Sequence, residues 1–207
     1  EDYEVDNLGD LADPDIAALF GSDGDGMADL YGCPPGWGCE MQIEKHLDEF
    51  GLRDTVTHVK ADWSAGMADA ISRFKKGENI IYYTWTPNWT VGSLVPGTDV
   101  IWIGTPSAVG VQVVEGVEGC VESPCPMGWD PANIRITANK EFVAYNPVVE
   151  ALMENFTVSL ADMGAQNMKM FEGEDSQEDI ERHALEWIAD NRDLVDRWLS
   201  RARIAGS

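Results

Sequence analysis

An α/β fold with substantial parallel pairing in its sheet is predicted by the first half of the chain. Short runs of β-branched and aromatic residues, Thr55–Val59, Ile80–Trp85 and Val100–Gly104, recur along it, and stretches with apolar residues at helical spacing lie among them. Gly51 and Gly77 close two of those stretches, as residues free to turn left-handed do at helix ends.

Taken in order, Asp13-Pro14 ahead of Asp15–Phe20 predicts a short capped helix, stopped by the Gly-Asp-rich run 21–29. From Glu40 to Phe50, Met41, Ile43, Leu47 and Phe50 mark one apolar helix face among charges. Thr55–Val59 alternates like a strand, 62–76 reads as an amphipathic helix, and Ile80–Trp85 and Val100–Gly104 read as buried strands. The region 105–132, rich in Gly, Pro and Val, breaks the rhythm and reads as an inserted loop or hairpin. Ile134–Ala138 carries a further strand pattern, and 140–203 is a run of helices. The change near 137–140 marks a crossover between two structural units.

The 207 residues hold 14 Lys plus Arg against 37 Asp plus Glu, a net charge of −23. Such a surface repels phosphate backbones and anionic lipid heads, which argues against nucleic acid and membrane-surface binding. No run approaches the roughly 20 apolar residues of a spanning helix. The opening EDYEVDNLGD lacks the basic and apolar segments of a secretory signal. The chain does not begin with Met and is read as a processed or excised piece, which leaves export open.

The four cysteines form two local pairs, Cys33 with Cys39 and Cys120 with Cys125, while His46, His58 and His183 are scattered. That spacing favours two short-loop disulfides over a metal knuckle or free thiols, and hence an oxidising compartment. The chain lacks G-x-S-x-G, H-E-x-x-H and a P-loop lysine motif, so it is read as no enzyme, with no cofactor and no metal. Asp23, Asp25 and Asp29 imitate part of a calcium loop, but the first position falls on Gly21 and no Glu stands at the twelfth; a solvated turn is favoured. His46 and His183 are read as surface or helix-packing residues.

The eight tryptophans are placed unevenly. Trp187 and Trp198 sit at helical spacing among aliphatics and Trp102 lies in a strand, so all three read as core. Trp63, at a helix start, reads either way. Trp37, Trp85, Trp89 and Trp129 each have Pro or Gly within two residues, in PGWGC, TWTPNW and MGWDP. Loops leaving strand ends are where α/β proteins place ligands. Several indole faces favour a soft, weakly hydrated cation such as a quaternary ammonium, which has no N–H to donate. Gly38-Cys39-Glu40, at a helix start, offers amide donors and the positive dipole end to a carboxylate. Together they suit a zwitterion such as a betaine.

GCPPGWGCE, preceded by DLADPDIAALF and DGDGMADLYGC and followed by YYTWTPNW, resembles the glycine betaine (proline betaine) substrate-binding proteins of ABC importers. The similarity continues through ITANKEF, NPVVEALM and DMGAQNMKM to the closing Trp-containing helices. The resemblance implies a periplasmic, two-lobed binding protein of the type II arrangement. Such a protein, monomeric at full length, delivers an osmoprotectant to a membrane permease. It implies that Trp37 and Trp85 form two walls of a tryptophan box around the trimethylammonium group. Gly38 and Cys39 would supply backbone amides to the carboxylate, and Cys33–Cys39 a disulfide beside the cleft. Trp89 is a further wall or support, and Trp129, without a family counterpart, a candidate by position.

Family members begin about 100 residues earlier, a typical half-lobe length. The chain is therefore expected to hold one complete lobe, 10–133, and the crossover and helical part of another, 134–207. The 105–132 segment with Cys120 and Cys125 departs from the family pattern, which keeps trimethylamine N-oxide, choline or a sulfonium analogue open as ligands. An osmolyte-sensing receptor module is the alternative to transport.

Overall fold

The computed structural model describes residues 5–106 and 112–206. Strand β1 (Ala28–Tyr31) pairs in parallel with β2 (Val56–Val59) on one edge and β3 (Ile81–Tyr82) on the other, with Leu30 opposite both His58 and Ile81. Side chains alternate along a strand, and β1 uses both faces. Ala28 and Leu30 join a core with Ile43 and Leu47, whereas Asp29 and Tyr31 face Arg73. Helices α2 (Gly38–Glu49) and α3 (Trp63–Lys75), which supply those partners, therefore cover opposite faces of the sheet, and β1 is buried along its whole length.

The sequence sets these helices locally. In α2, buried Ile43, His46 and Leu47 share one face, and left-handed Gly51 (φ +68°) turns the chain so that the Leu52 N–H reaches the Leu47 carbonyl at 2.9 Å. In α3, the Asp62 carboxylate accepts from the Ala65 N–H at 3.1 Å, and Trp63, Met67 and Ala70 are buried. Arg73, 5% exposed, donates to the Gly21 carbonyl at 3.0 Å, the Asn79 carbonyl at 3.3 Å and Glu78 at 2.9 Å. Its donors thus satisfy backbone acceptors on either side of the sheet's entry.

Upstream, the expected short helix is divided into a 3-10 turn (Leu8–Ala12), α1 (Pro14–Ala17) capped by Asp13, and a second 3-10 turn (Ala18–Phe20). The 21–29 run is occupied with its own backbone. Asp23 accepts from the Asp25 N–H at 3.0 Å, Asp25 from the Met27 N–H at 2.8 Å, and Asp29 from the Ser22 N–H at 2.7 Å.

Two expected strands form no ladder. Trp102 exchanges hydrogen bonds with Gly119 and Val121, at 2.8 and 3.1 Å, and Gly104 with Asp6 and Leu8, at 2.9 and 2.8 Å. Because the partner changes after two residues, Val100–Gly104 yields only isolated bridges. Ile134–Ala138 is irregular, with Ile134 69% exposed, so its alternating pattern finds no ladder among the described residues. β3 is shorter than Ile80–Trp85, though the Tyr83 N–H still reaches the Tyr31 carbonyl at 2.8 Å.

The described residues divide into two compact units, one within Glu1–Trp85 and Ser93–Pro131, the other within Thr86–Gly92 and Ala132–Ser207. A short helix, α4 (Thr90–Ser93), follows the TWTPNW segment. The first unit includes an antiparallel hairpin of β4 (Gln112–Val114) and β5 (Cys125–Met127), in the region read as a loop or hairpin; its residues 107–111 lie outside the described ones. The second unit holds α5 (Lys140–Tyr145), α6 (Pro147–Asn155), α7 (Leu160–Phe171), α8 (Gln177–Asp190) and α9 (Arg192–Ala205). There α6 and α9 meet through Arg201 on Asn155 at 2.9 Å, and Trp187 stacks on Trp198 at 6.0 Å. Buried His183 takes a hydrogen bond from Gln166 of α7 at 3.2 Å and contacts Glu174 at 2.9 Å, so it packs helices together.

Ile43 is 2% exposed and carries the contact between α2 and the sheet. Ile43→Ala should lower the unfolding free energy by about 2–4 kcal/mol, read from the shift of a urea denaturation midpoint at constant slope.

Candidate functional site

Residues 32–37 carry the chain from the end of β1 to the start of α2. Cys33 and Cys39, bonded as a disulfide with Cα atoms 6.0 Å apart, tie the sheet to the helix, and Gly36 (φ +93°) makes the turn between them. Trp37 is the extended residue before the helix, and its carbonyl accepts from the Glu40 N–H at 3.1 Å. Gly38 and Cys39 are the first residues of α2, where backbone N–H groups have no intrahelical acceptor and the dipole is positive.

A polar support holds this loop from the neighbouring strand. The buried His58 ring of β2 accepts from the Cys33 N–H at Nε2 (3.2 Å), so its proton is on Nδ1, which faces Glu44 at 2.7 Å. Gly32 permits the approach, since a Cβ there would lie 2.0 Å from His58 Nε2. Partial burial opposes ionisation of Glu44, but hydrogen bonds from Lys60, Arg53 and His58 prevail and draw its carboxyl down to about 2. For His58 the balance runs the other way: burial lowers its pKa against the pull of Glu44, favouring the neutral ring. Lys60 also bonds Glu40 at 2.8 Å, lowering that carboxyl. Lys60 thereby neutralises negative charge at the first turn of α2.

An aromatic array spreads from the loop. The Trp37 and Trp85 rings lie 6.4 Å apart with planes at 63°, and Trp37 is 46% exposed. Trp85 is packed by Trp63 at 4.9 Å and by Tyr83 at 5.9 Å. Beyond Tyr83 the contacts run to Trp129 (5.0 Å), then to His46 (4.8 Å) and Phe50 (5.4 Å). His46 is buried, which lowers its pKa, and Gln42 bridges it to the Gly128 carbonyl with contacts of 2.8 and 3.2 Å.

Of the tryptophans singled out from the sequence, Trp37 and Trp85 meet. Trp129 stands one ring away, packed between Tyr83 and His46. Trp89 belongs to the other unit, where it stacks on Phe171 at 3.7 Å. An apolar cavity of about 480 Å³ within the first unit, walled by Leu30, Ile43, Phe74, Trp102 and Trp129, is lined by neither Trp37 nor Trp85. Sequence reasoning left Trp63 undecided and passed over Tyr83 and His58. Tyr83 carried a signal, because residues two apart on an extended chain share a face. The second disulfide, Cys120–Cys125, lies in the hairpin region. Among the described residues, no group of three or more His, Cys, Asp or Glu side chains is arranged to hold a metal ion.

Residues 1–190 match the family described as the substrate binding domain of the ABC-type glycine betaine transport system. The chain belongs to that family. It is 42% identical over 205 residues to the glycine betaine-binding periplasmic protein OusX of Dickeya dadantii, and 38% over 205 residues to the glycine betaine/proline betaine-binding periplasmic protein of Escherichia coli. Each alignment takes in 99% of this chain and 62% of the relative, so the chain spans under two thirds of these proteins' length. The trimethylamine N-oxide-binding protein of Pelagibacter ubique is 26% identical over 187 residues, 89% of this chain and 55% of that protein. This is a family of transport binding domains, not a class of enzymes, and no described helix is long and apolar enough to cross a membrane.

The loop support in this glycine betaine-family domain makes two outcomes measurable. Gly32→Ala forces the His58 ring away from Cys33 and should cost about 1–3 kcal/mol of stability, seen in urea denaturation. Because folding lowers the His58 pKa, the unfolded state binds the proton more readily. The stability contribution is therefore complete above the ordinary histidine value and is lost as pH falls below it toward the depressed folded value. Melting curves between pH 8 and 5 should fall less steeply with acid in His58→Gln than in the parent.

Proposed function

We infer that the full-length protein is a periplasmic substrate-binding component of an ABC importer. It captures glycine betaine or a related quaternary-ammonium osmolyte and presents it to a membrane permease. The observation that carries the reading is the Trp37–Trp85 pair standing beside the N-terminus of α2 in a chain of this family. A trimethylammonium head cannot donate a hydrogen bond, so it is recognised by ring faces, each contributing about 0.5–2 kcal/mol. The carboxylate takes the Gly38 and Cys39 amides, where the helix dipole favours an anion. Lys60, paired with Glu40 at 2.8 Å, supports this by removing a repelling charge from the same helical turn. Nothing in such binding breaks or makes a bond; closure around the ligand is the productive step.

A second reading, trimethylamine N-oxide as ligand, is favoured by the Pelagibacter relative's name. That compound keeps the methylated cation and lacks the carboxylate, so it would draw on the rings and leave the amides unused.

Calorimetry on the full-length protein separates these. Glycine betaine should bind more tightly than trimethylamine N-oxide, and Trp85→Ala should weaken glycine betaine by roughly 2- to 30-fold, the loss of one cation–π wall. Binding of glycine betaine that is undiminished in folded Trp85→Ala contradicts the aromatic cage. Tighter binding of trimethylamine N-oxide moves the ligand assignment to the second reading.

A further inference from the structure

Trp63 lies outside the pair that the functional reading uses, yet among the described residues it is the ring nearest to Trp85. Their centroids are 4.9 Å apart with planes at 44°, against 6.4 Å between Trp37 and Trp85. Trp63 is 7% exposed, and its indole N–H points to the Tyr83 carbonyl at 3.4 Å, two residues before Trp85 on the same extended segment. Its backbone is fixed as well, because it is the first residue of α3, directly after the capping Asp62. Tyr83 also contacts Trp85, at 5.9 Å with planes at 32°.

We propose that Trp63 is a positioning residue for the onium site: it holds the Trp85 ring at the tilt that lets Trp85 and Trp37 share one cation. The proposal rests on the functional reading above and names a residue that reading does not use. Its physical basis is direction. Cation–π attraction depends on the cation lying over the ring face, so a Trp85 ring free to rotate about χ2 spends part of its time presenting an edge. A buried aromatic in contact with Trp85, hydrogen-bonded to the extended segment that carries it, removes that freedom before ligand arrives. A general packing residue would support stability alone, whereas a brace for one ring also governs how well full methylation is distinguished from partial methylation.

The test uses the full-length protein with Trp63→Phe and Trp63→Leu, glycine betaine and N,N-dimethylglycine as probes, and the 19F signal of 5-fluorotryptophan at position 85, assigned with Trp85→Phe. Trp63→Phe keeps a ring and should bind glycine betaine within about threefold of the parent. Trp63→Leu should weaken it about tenfold or more, narrow the preference for glycine betaine over dimethylglycine, and broaden or shift the Trp85 resonance. If Trp63→Leu does not fold, Trp63→Met, flexible and of similar bulk, takes its place. A folded Leu or Met variant with parental affinity, preference and Trp85 line shape overturns the proposal. The resonance is read without ligand, so it judges the brace even if the parent binds neither compound, a result that would instead overturn the functional reading.

Discussion

The fold around the candidate site depends on how one short loop is held at both ends. Cys33 lies two residues past the central strand and Cys39 in the first turn of the helix packed on it, and the disulfide joins the two covalently. The Cys33 amide is then held a second time, by the neutral, buried ring of His58 on the adjacent strand. Three elements, β1, α2 and β2, are thereby registered to one another where Trp37 and the first amides of α2 face outward. A small ligand offers few contacts with which to offset the cost of ordering a flexible loop. A loop already ordered avoids that cost.

Charge is managed around the same loop. The chain carries a large acidic excess, and an anionic group arriving at α2 would meet Glu40 and Glu44 on its first two turns. Lys60 bonds both carboxylates at 2.8 Å, and Arg53 bonds Glu44. The carboxylates remain ionised but paired, and their partners anchor the loop instead of repelling what the helix dipole would attract. The same logic explains why His58 is neutral. It must keep Nε2 as an acceptor for the Cys33 amide, and burial outweighs the pull of the neighbouring carboxylate.

Much of this was legible in the sequence because periodicity reports burial. The helices at 40–50 and 62–76, the strand at 55–59 and the loop between the cysteines all carry local signals that the structure follows within a residue or two. Local pattern does not report partners. Val100–Gly104 has a strand's composition, but its neighbours change every two residues; Ile134–Ala138 alternates well and has no ladder among the described residues. The aromatics teach the same lesson. A Gly or Pro nearby marked Trp37 and Trp85, which meet, and equally Trp129, which is packed behind Tyr83, and Trp89, which stacks on Phe171 in the other unit. Trp63, at a helix start, could be read either way, since its contact with Trp85 exists only once α3 lies against the sheet. His58 gave no sign of its role, because its partners, Cys33 and Glu44, are brought to it by strand pairing and helix packing.

In the proposed site an onium head rests between Trp37 and Trp85 while an acid takes the amides at the start of α2. A crystal structure of the full-length protein with the selenium analogue of betaine, dimethylselenonioacetate, tests it most directly, because anomalous scattering marks the onium atom itself. A selenium peak is expected within about 6 Å of both indole centres, with the carboxylate on the Gly38 and Cys39 amides. A peak away from these rings, or a carboxylate turned from α2, would contradict it.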